Sequence, residues 1–317
     1  MKIHSICLVK NESDIIAQTL QSAACWSDFI YVYDNGSTDG TWEQVLDLAR
    51  KYKQIIPYKQ DSQPFANSLR SEPFNHYRAN STEKDWWCKL DADEIYIDNP
   101  RIFLSKIPKK FAMVWAASFE YYFTDRDLEF YNQNPALYAD DISIEKKCRY
   151  YINNWSEPLF FRYKENLIWK KSIIKSEAHM PDGIANPYHK RIRLKHFQYR
   201  SPQQIQKSLD NRIELMQKGV FLHEKRKDWK QKINNADNAS YSSSNFSYDK
   251  DYLPCSWQER VASASNLLYD RGDGKYIINE DLIPKIPVVN RSFYSRVLNK
   301  LLQTYNSSKN YMFSDRK

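Results

Sequence analysis

Apolar positions recur in two alternating rhythms over the first hundred residues. Ile3-His4-Ser5-Ile6-Cys7-Leu8-Val9 is a mostly apolar run of strand length, and Ser13 then precedes Ile15, Ile16, Thr19, Leu20, Ala23 and Ala24 at helical spacing. Phe29 to Tyr33 is a second β-rich run, stopped by Asp34-Asn35-Gly36-Ser37. Trp42, Val45, Leu46 and Ala49 follow at i, i+3, i+4, i+7. Ile55-Ile56 opens a short third strand, and Trp86-Trp87-Cys88-Lys89-Leu90 forms a fourth that ends abruptly in Asp91-Ala92-Asp93-Glu94. Strands alternating with helices predict an open, mainly parallel α/β sheet flanked by helices, whose ligands sit at the carboxyl ends of the strands. Chemistry is therefore expected in the loops after Val9, Tyr33 and Leu90.

The middle of the chain changes character. Strand-like, aromatic segments at Ala112 to Phe123, Leu159 to Tyr163 and Ile192 to Phe197 are separated by polar loops, which reads as an α+β elaboration of the same sheet. Ser201-Pro202-Gln203-Gln204 is a helix start, with Ser as cap, Pro in the first turn and Gln204 closing a capping box. Ile205, Leu209, Ile213 and Met216 then face the core, and Gly219 fits the left-handed stop. The expected division is a catalytic unit over 1–200 and a helical extension over 201–317 packed on it. Residues 234–248 are rich in Asn and Ser and read as a loop. A tail helix over 291–305 carries Tyr294, Val297, Leu298, Leu301, Leu302 and Tyr305 on one face. It docks on the core in the simpler reading, and lies on an anionic membrane in the other.

Composition narrows the classes. Six glycines in 317 residues form neither G-x-G-x-x-G nor G-x-x-x-x-G-K-[ST], which argues against a dinucleotide fingerprint and a P-loop. With 42% apolar and 15% aromatic residues the chain can fill a sizeable core. The net charge of +8 suits an anionic partner without choosing among phosphates, nucleic acid and membrane, and no nucleic-acid module is recognisable. The longest uncharged apolar stretch, Phe111 to Phe119, is half of what a membrane span needs, and no signal-peptide pattern opens the chain, so a cytoplasmic, soluble or peripheral protein is expected. Five widely spaced cysteines without C-x-x-C read as core thiols.

The most informative segment is Lys89-Leu90-Asp91-Ala92-Asp93-Glu94. A strand that delivers two carboxylates at i and i+2 into a loop places oxygen ligands where a hard divalent cation can bridge protein and diphosphate. Three acids in a row repel unless something compensates them. The acidic turn also has a bland reading, a solvated loop, and its neighbours in the sequence decide between the two.

Val9-Lys10-Asn11-Glu12 after the first strand, Asp34-Asn35-Gly36-Ser37-Thr38-Asp39-Gly40-Thr41 after the second and Asp91-Ala92-Asp93 after the fourth resemble the nucleotide-binding half of a bacterial family 2 glycosyltransferase of GT-A fold. Lys195-His196-Phe197-Gln198-Tyr199-Arg200-Ser201 resembles a later segment of the same group. The resemblance implies a metal-dependent transfer of sugar from a nucleoside-diphosphate sugar to a hydroxyl of a glycan or lipid-linked glycan acceptor, with inversion. It places Val9, Asn11, Glu12 and Asp34 at the base and ribose. Asp91 and Asp93 would hold Mn²⁺ or Mg²⁺ on the diphosphate, with Asp91 also near the ribose or sugar, and His196 is a candidate third ligand or a satisfied core histidine. Arg70 and Arg200 would cover phosphate, or equally form ion pairs. Asp39 is better read as a helix cap, and Gly36 and Gly40 as servants of the turn.

The family's usual Glu-Asp pair for the general base is not visible. Glu157, with Trp155 placed to desolvate it, raise its pKa and offer a sugar platform, leads as base, followed by Asp182, with Glu120 and Glu177 in reserve. A second hypothesis is a noncatalytic nucleotide- or glycan-binding protein on a degenerate scaffold of the same fold.

Overall fold

The computed structural model describes residues 1–171, 179–217 and 256–287. The expected loop at 234–248, the tail helix at 291–305, Gly219, Glu177 and Cys255 lie outside the described residues.

The chain opens with β1 (Ile3–Val9), every residue of which is buried, then α1 (Ile16–Ala24), β2 (Phe29–Asp34), α2 (Thr41–Lys51) and β3 (Ile55–Gln60). After β4 (Trp86–Asp91) come β5 (Glu94–Tyr96), β6 (Met113–Tyr122), β7 (Tyr150–Arg162), β8 (Ile192–His196), the helix Pro202–Gln217 and the short β9 (Leu268–Tyr269). All nine strands join one sheet in the order β3-β2-β1-β4-β7-β6-β8-β5, with β9 on β7. The β3-β2-β1-β4 half is parallel, as the alternation of strands and helices predicts, whereas β7 runs antiparallel to β4 and β6.

Both faces are covered. Trp86, Cys88 and Leu90 pack with Val32, Leu20 and Val45 on one side, and Trp87, Tyr31, Ile6 and Phe74 pack on the other. Such double burial explains why β1, β2 and β4 read as nearly continuous apolar runs. In α2 the buried positions are Thr41, Val45 and Leu48, and Leu46 turns outward, 37% exposed. The i, i+4, i+7 set beginning at Thr41 sets the buried face, one step away from the phase that starts at Trp42.

Two local expectations change. β7 begins at Tyr150, nine residues before Leu159, because register shifts against β6 break the period-two pattern on which strand recognition depends. At the Pro202 helix, Ser201 Oγ accepts from Gln204 N at 3.2 Å, but the Gln204 side chain reaches one residue further back, to the N–H of Arg200 at 3.1 Å. Ile205 and Leu209 are buried and Ile213 partly so. Cys7, Cys88 and Cys148 are buried, whereas Cys25 is exposed.

The Arg271-Gly272-Asp273-Gly274 turn closes onto Asp270. Asp270 accepts from Tyr121 Oη at 2.5 Å, Tyr276 Oη at 2.8 Å, Lys195 Nζ at 3.2 Å and the Gly272 N–H at 2.8 Å. Gly272, at φ 72°, turns the chain so that its own N–H meets that carboxylate. The segment after β9 is thereby fixed against β6 and β8.

Candidate active site at the carboxyl edge of the sheet

Strand β1 is the geometric centre of the site. The chain runs outward from β1 to β2 to β3 and then returns to place β4 on the other side of β1, so the strand order reverses there. Val9 pairs with Asp34 and Leu8 pairs with Asp91, so the two carboxylates flank the end of β1 at about two strand spacings, roughly 10 Å.

The loops after β1 and β2 are stitched together. Asn11, a left-handed non-glycine residue at φ 56°, donates its N–H to Ser37 Oγ at 2.8 Å, and its Oδ1 accepts from Thr38 N at 2.9 Å. The Glu12 N–H donates to Thr41 Oγ1 at 2.9 Å. Asn11 is thus a brace for the turn. Gly36, at φ 79°, could not be replaced without strain, because an added Cβ would lie 2.6 Å from Ser62 Oγ. Gly40, also left-handed, is the N-cap position of α2. Asp39, one residue earlier, accepts from Thr41 N at 3.2 Å and Thr41 Oγ1 at 2.5 Å, so it works at the helix entrance. The buried Val9 carbonyl accepts from Asn35 N at 2.8 Å.

Asp34 is fully buried. Its Oδ1 accepts from Ser37 N at 2.7 Å, an Asx-turn contact, while its Oδ2 is buried without a hydrogen-bond partner. An unsatisfied buried carboxylate oxygen is costly, so this atom marks a place where a ligand donor would be welcome.

Across β1, Asp91 is part-exposed and pairs through Oδ1 with Arg70 Nη2. Arg70 is itself 5% exposed and is held by Asn67 Oδ1 at 3.1 Å. Asp93 lies 3.4 Å from His196 Nε2 and 3.5 Å from Arg200 Nη1, both longer than a made hydrogen bond. Backbone pairing brings Glu94 and Glu120 to either side of His196, whose Nδ1 is 2.8 Å from Glu120 Oε2. The repulsion expected among the acids shows at Glu94: burial, and then Asp91, push its carboxyl pKa well above the usual range.

Several sequence expectations are corrected. His196 is no free third ligand. Burial opposes its charge, but Glu120 and Asp93 outweigh that and hold its pKa well above ordinary, as an imidazolium facing two carboxylates. Arg200 does not face phosphate. It is fully buried, gripping Asp14 through Nε and Nη2 at 2.8 Å each, the Phe197 carbonyl through Nη1 at 2.7 Å, and Glu12. Glu12 accordingly points its carboxylate at Arg200, and burial pushes its pKa up to about 8 against the pull of that guanidinium.

Glu157 is also not the desolvated base expected of it. Burial raises its pKa, but Lys89 at 2.9 Å and the Trp155 indole at 3.0 Å prevail, bringing it down to about 2. Asp182 is exposed beside Lys170 at 3.5 Å and pairs in the backbone with Ile168; no contact among the described residues joins it to the acidic cluster. Lys89, Glu94 and Asp14 were not foreseen as site residues. Lys89 had a legible signal, a lone cation in an otherwise apolar strand on the same face as Asp91.

Among the described residues no three His, Cys, Asp or Glu side chains converge as a ready cation site. Asp91 pairs with Arg70 through Oδ1 alone and Asp93 is only loosely engaged, so the chemistry of the pair suits a hard cation.

The charged state of His196 is testable. Its imidazole resonances are expected to show no titration between pH 6 and 7.5, and Glu120→Gln should bring the midpoint down into that range. Because the folded pKa is raised, the stabilisation is complete below the unfolded value of 6.5 and is lost only as pH rises through the folded one. A wild-type midpoint near 6.5 would contradict the assignment.

No family model and no curated relative matches the chain. Among solved structures it is similar to the mannosyltransferase PcManGT from Pyrobaculum calidifontis in complex with GDP-Man and Mn²⁺, at 17% identity and TM-score 0.31 over 51% of this chain and 44% of that one. It is also similar to S. aureus TarS, at 12% identity and TM-score 0.32 over 68% and 65%. A third is glucosyl-3-phosphoglycerate synthase from Mycobacterium tuberculosis in complex with phosphoglyceric acid, at 15% and 0.27 over 51% and 56%. The chain thus spans less than two thirds of the length of each of these proteins. Similarity at this level assigns no family, and the site's own geometry carries the functional conclusion. No helix among the described residues is long and apolar enough to cross a membrane.

Proposed function

We propose that this protein is a glycosyltransferase that takes a sugar from a nucleoside-diphosphate donor and transfers it to a hydroxyl of a surface-glycan acceptor, with inversion by single displacement. The observation that carries the reading is the placement of Asp34 and Asp91 on either side of β1 at the reversal of strand order, with Asp34 Oδ2 buried and unpartnered. A base N–H or ribose hydroxyl supplies the donor that this oxygen lacks. The diphosphate then spans β1 toward Asp91 and Asp93.

Asp91 and Asp93 would hold Mn²⁺ or Mg²⁺ there, and the cation would neutralise charge on the departing diphosphate. Arg70, fixed by Asn67 and Asp91, adds a positive charge at the same edge. Glu157, with a pKa of about 2, is too weak a base to take a hydroxyl proton near neutral pH, so its contribution is sought in binding.

The donor site is tested by thermal shift against a panel of nucleotide sugars with Mn²⁺, since a ligand of the native state raises its melting temperature. At least one nucleotide sugar is expected to stabilise the wild type. Asp34→Ala should weaken that binding about 10- to 100-fold, the loss of a charge-assisted hydrogen bond. Stabilisation of Asp34→Ala equal to that of the wild type would sink the assignment.

A further inference from the structure

Trp155 is 41% exposed, a large apolar surface left in water on a strand that otherwise packs well. It precedes Glu157 by two residues on β7, so both side chains share one face of the sheet. Lys89 and Asp91 share that face of β4 by the same alternation.

The indole is not loose. Its Nε1 donates to Glu157 Oε1 at 3.0 Å, and Glu157 Oε2 accepts from the buried Lys89 Nζ at 2.9 Å. Orientation is therefore set before any ligand arrives, which removes part of the entropy cost of binding.

Strand pairing puts this aromatic plate at the candidate active site. β7 is antiparallel to β4, and their paired positions end at Cys88↔Phe160, so the earlier residues of β7 run past the end of β4. Trp155 thus projects beyond the Asp91 end of that strand. β9 meets β7 only at Tyr150 and Tyr151, while β6 occupies the opposite edge. Among the described residues no strand pairs with the intervening stretch on the β4 side.

A half-exposed indole next to an ionised carboxylate matches the two faces of a sugar. The axial C–H groups of a pyranose pack on an aromatic ring, and its hydroxyls donate to carboxylate oxygens that retain lone pairs. We infer that Trp155 and Glu157 form the acceptor subsite, in which a pyranose ring of the glycan stacks on the indole and a ring hydroxyl donates to the Glu157 carboxylate. Glu157 orients the acceptor and the indole together. This inference rests on the proposed glycosyltransferase reading.

The experiment is an NMR titration of the protein, loaded with nucleoside diphosphate and Mg²⁺, with the methyl glycosides of glucose, galactose, mannose and N-acetylglucosamine. At least one glycoside is expected to bind the wild type. Trp155→Ala should weaken it at least tenfold, whereas Trp155→Phe, which keeps a ring, should stay within about threefold of the wild type. Glu157→Gln should fall between them. The subsite is overturned if none of the four glycosides binds, or if Trp155→Ala binds as well as the wild type. Failure of the underlying reading appears differently, as absence of nucleoside-diphosphate binding in the wild type before any glycoside is added.

Discussion

Arg200→Met is expected to lower the unfolding free energy by about 3–5 kcal/mol at pH 8, the usual consequence of removing one partner from a buried ion cluster. Arg200 is fully buried and engages Glu12, Asp14 and the Phe197 carbonyl, with Asp93 at 3.5 Å. Methionine fills much of the volume but leaves Glu12 and Asp14 without the cation that grips them, and Asp93 with His196 alone. The loss should shrink at pH 5.5, because the orphaned acids can then take protons instead of remaining charged. Glu12 is the first to do so, as its pKa is already about 8 with the arginine in place. The same sign applies to the wild type: a raised carboxyl pKa means that the Glu12 contribution is most favourable below its unfolded value of 4.5 and is lost as pH rises through about 8. Urea unfolding at the two pH values checks both parts. A loss under 1 kcal/mol at pH 8 would show that the cluster does not depend on the guanidinium.

Asp93→Ala is expected to reduce metal-dependent transfer by on the order of 10²–10³-fold, which corresponds to a few kcal/mol of transition-state stabilisation. The fold should survive. Asp93 is 15% exposed and its contacts to His196 and Arg200 are long, so its removal takes one charge out of an acidic cluster that already raises the Glu94 pKa. A variant that melts with the wild type and fails in turnover separates a cation ligand from a structural acid. Undiminished turnover would remove Asp93 from the site.

The residues at strand ends were legible in the sequence because local rules put them there. Apolar runs predict β1, β2 and β4, a parallel sheet predicts that their carboxyl ends meet, and Asp34, Asp91 and Asp93 follow from those two statements. Long-range partners were not legible. Arg200 finds Asp14 at a separation of 186 residues and Lys89 finds Glu157 at 68, and nothing local to either residue specifies the match. That blindness reversed the pKa argument for Glu157: its flanking tryptophan was visible, whereas its pairing with Lys89 was not. It also concealed the role of His196, whose neighbours Glu94 and Glu120 reach it only through the register of β5, β6 and β8. The start of β7 was hidden for a different reason, since the register shifts against β6 interrupt the period by which a strand is recognised.

In the proposed function, the edge of the sheet around β1 consumes a nucleotide sugar with the help of a cation. The direct measurement is release of free nucleoside diphosphate from a panel of nucleotide sugars, followed by chromatography with Mn²⁺ and with excess chelator. The predicted result is slow release from at least one donor with Mn²⁺ and none with chelator; no release from any donor, or equal release under both conditions, would contradict it.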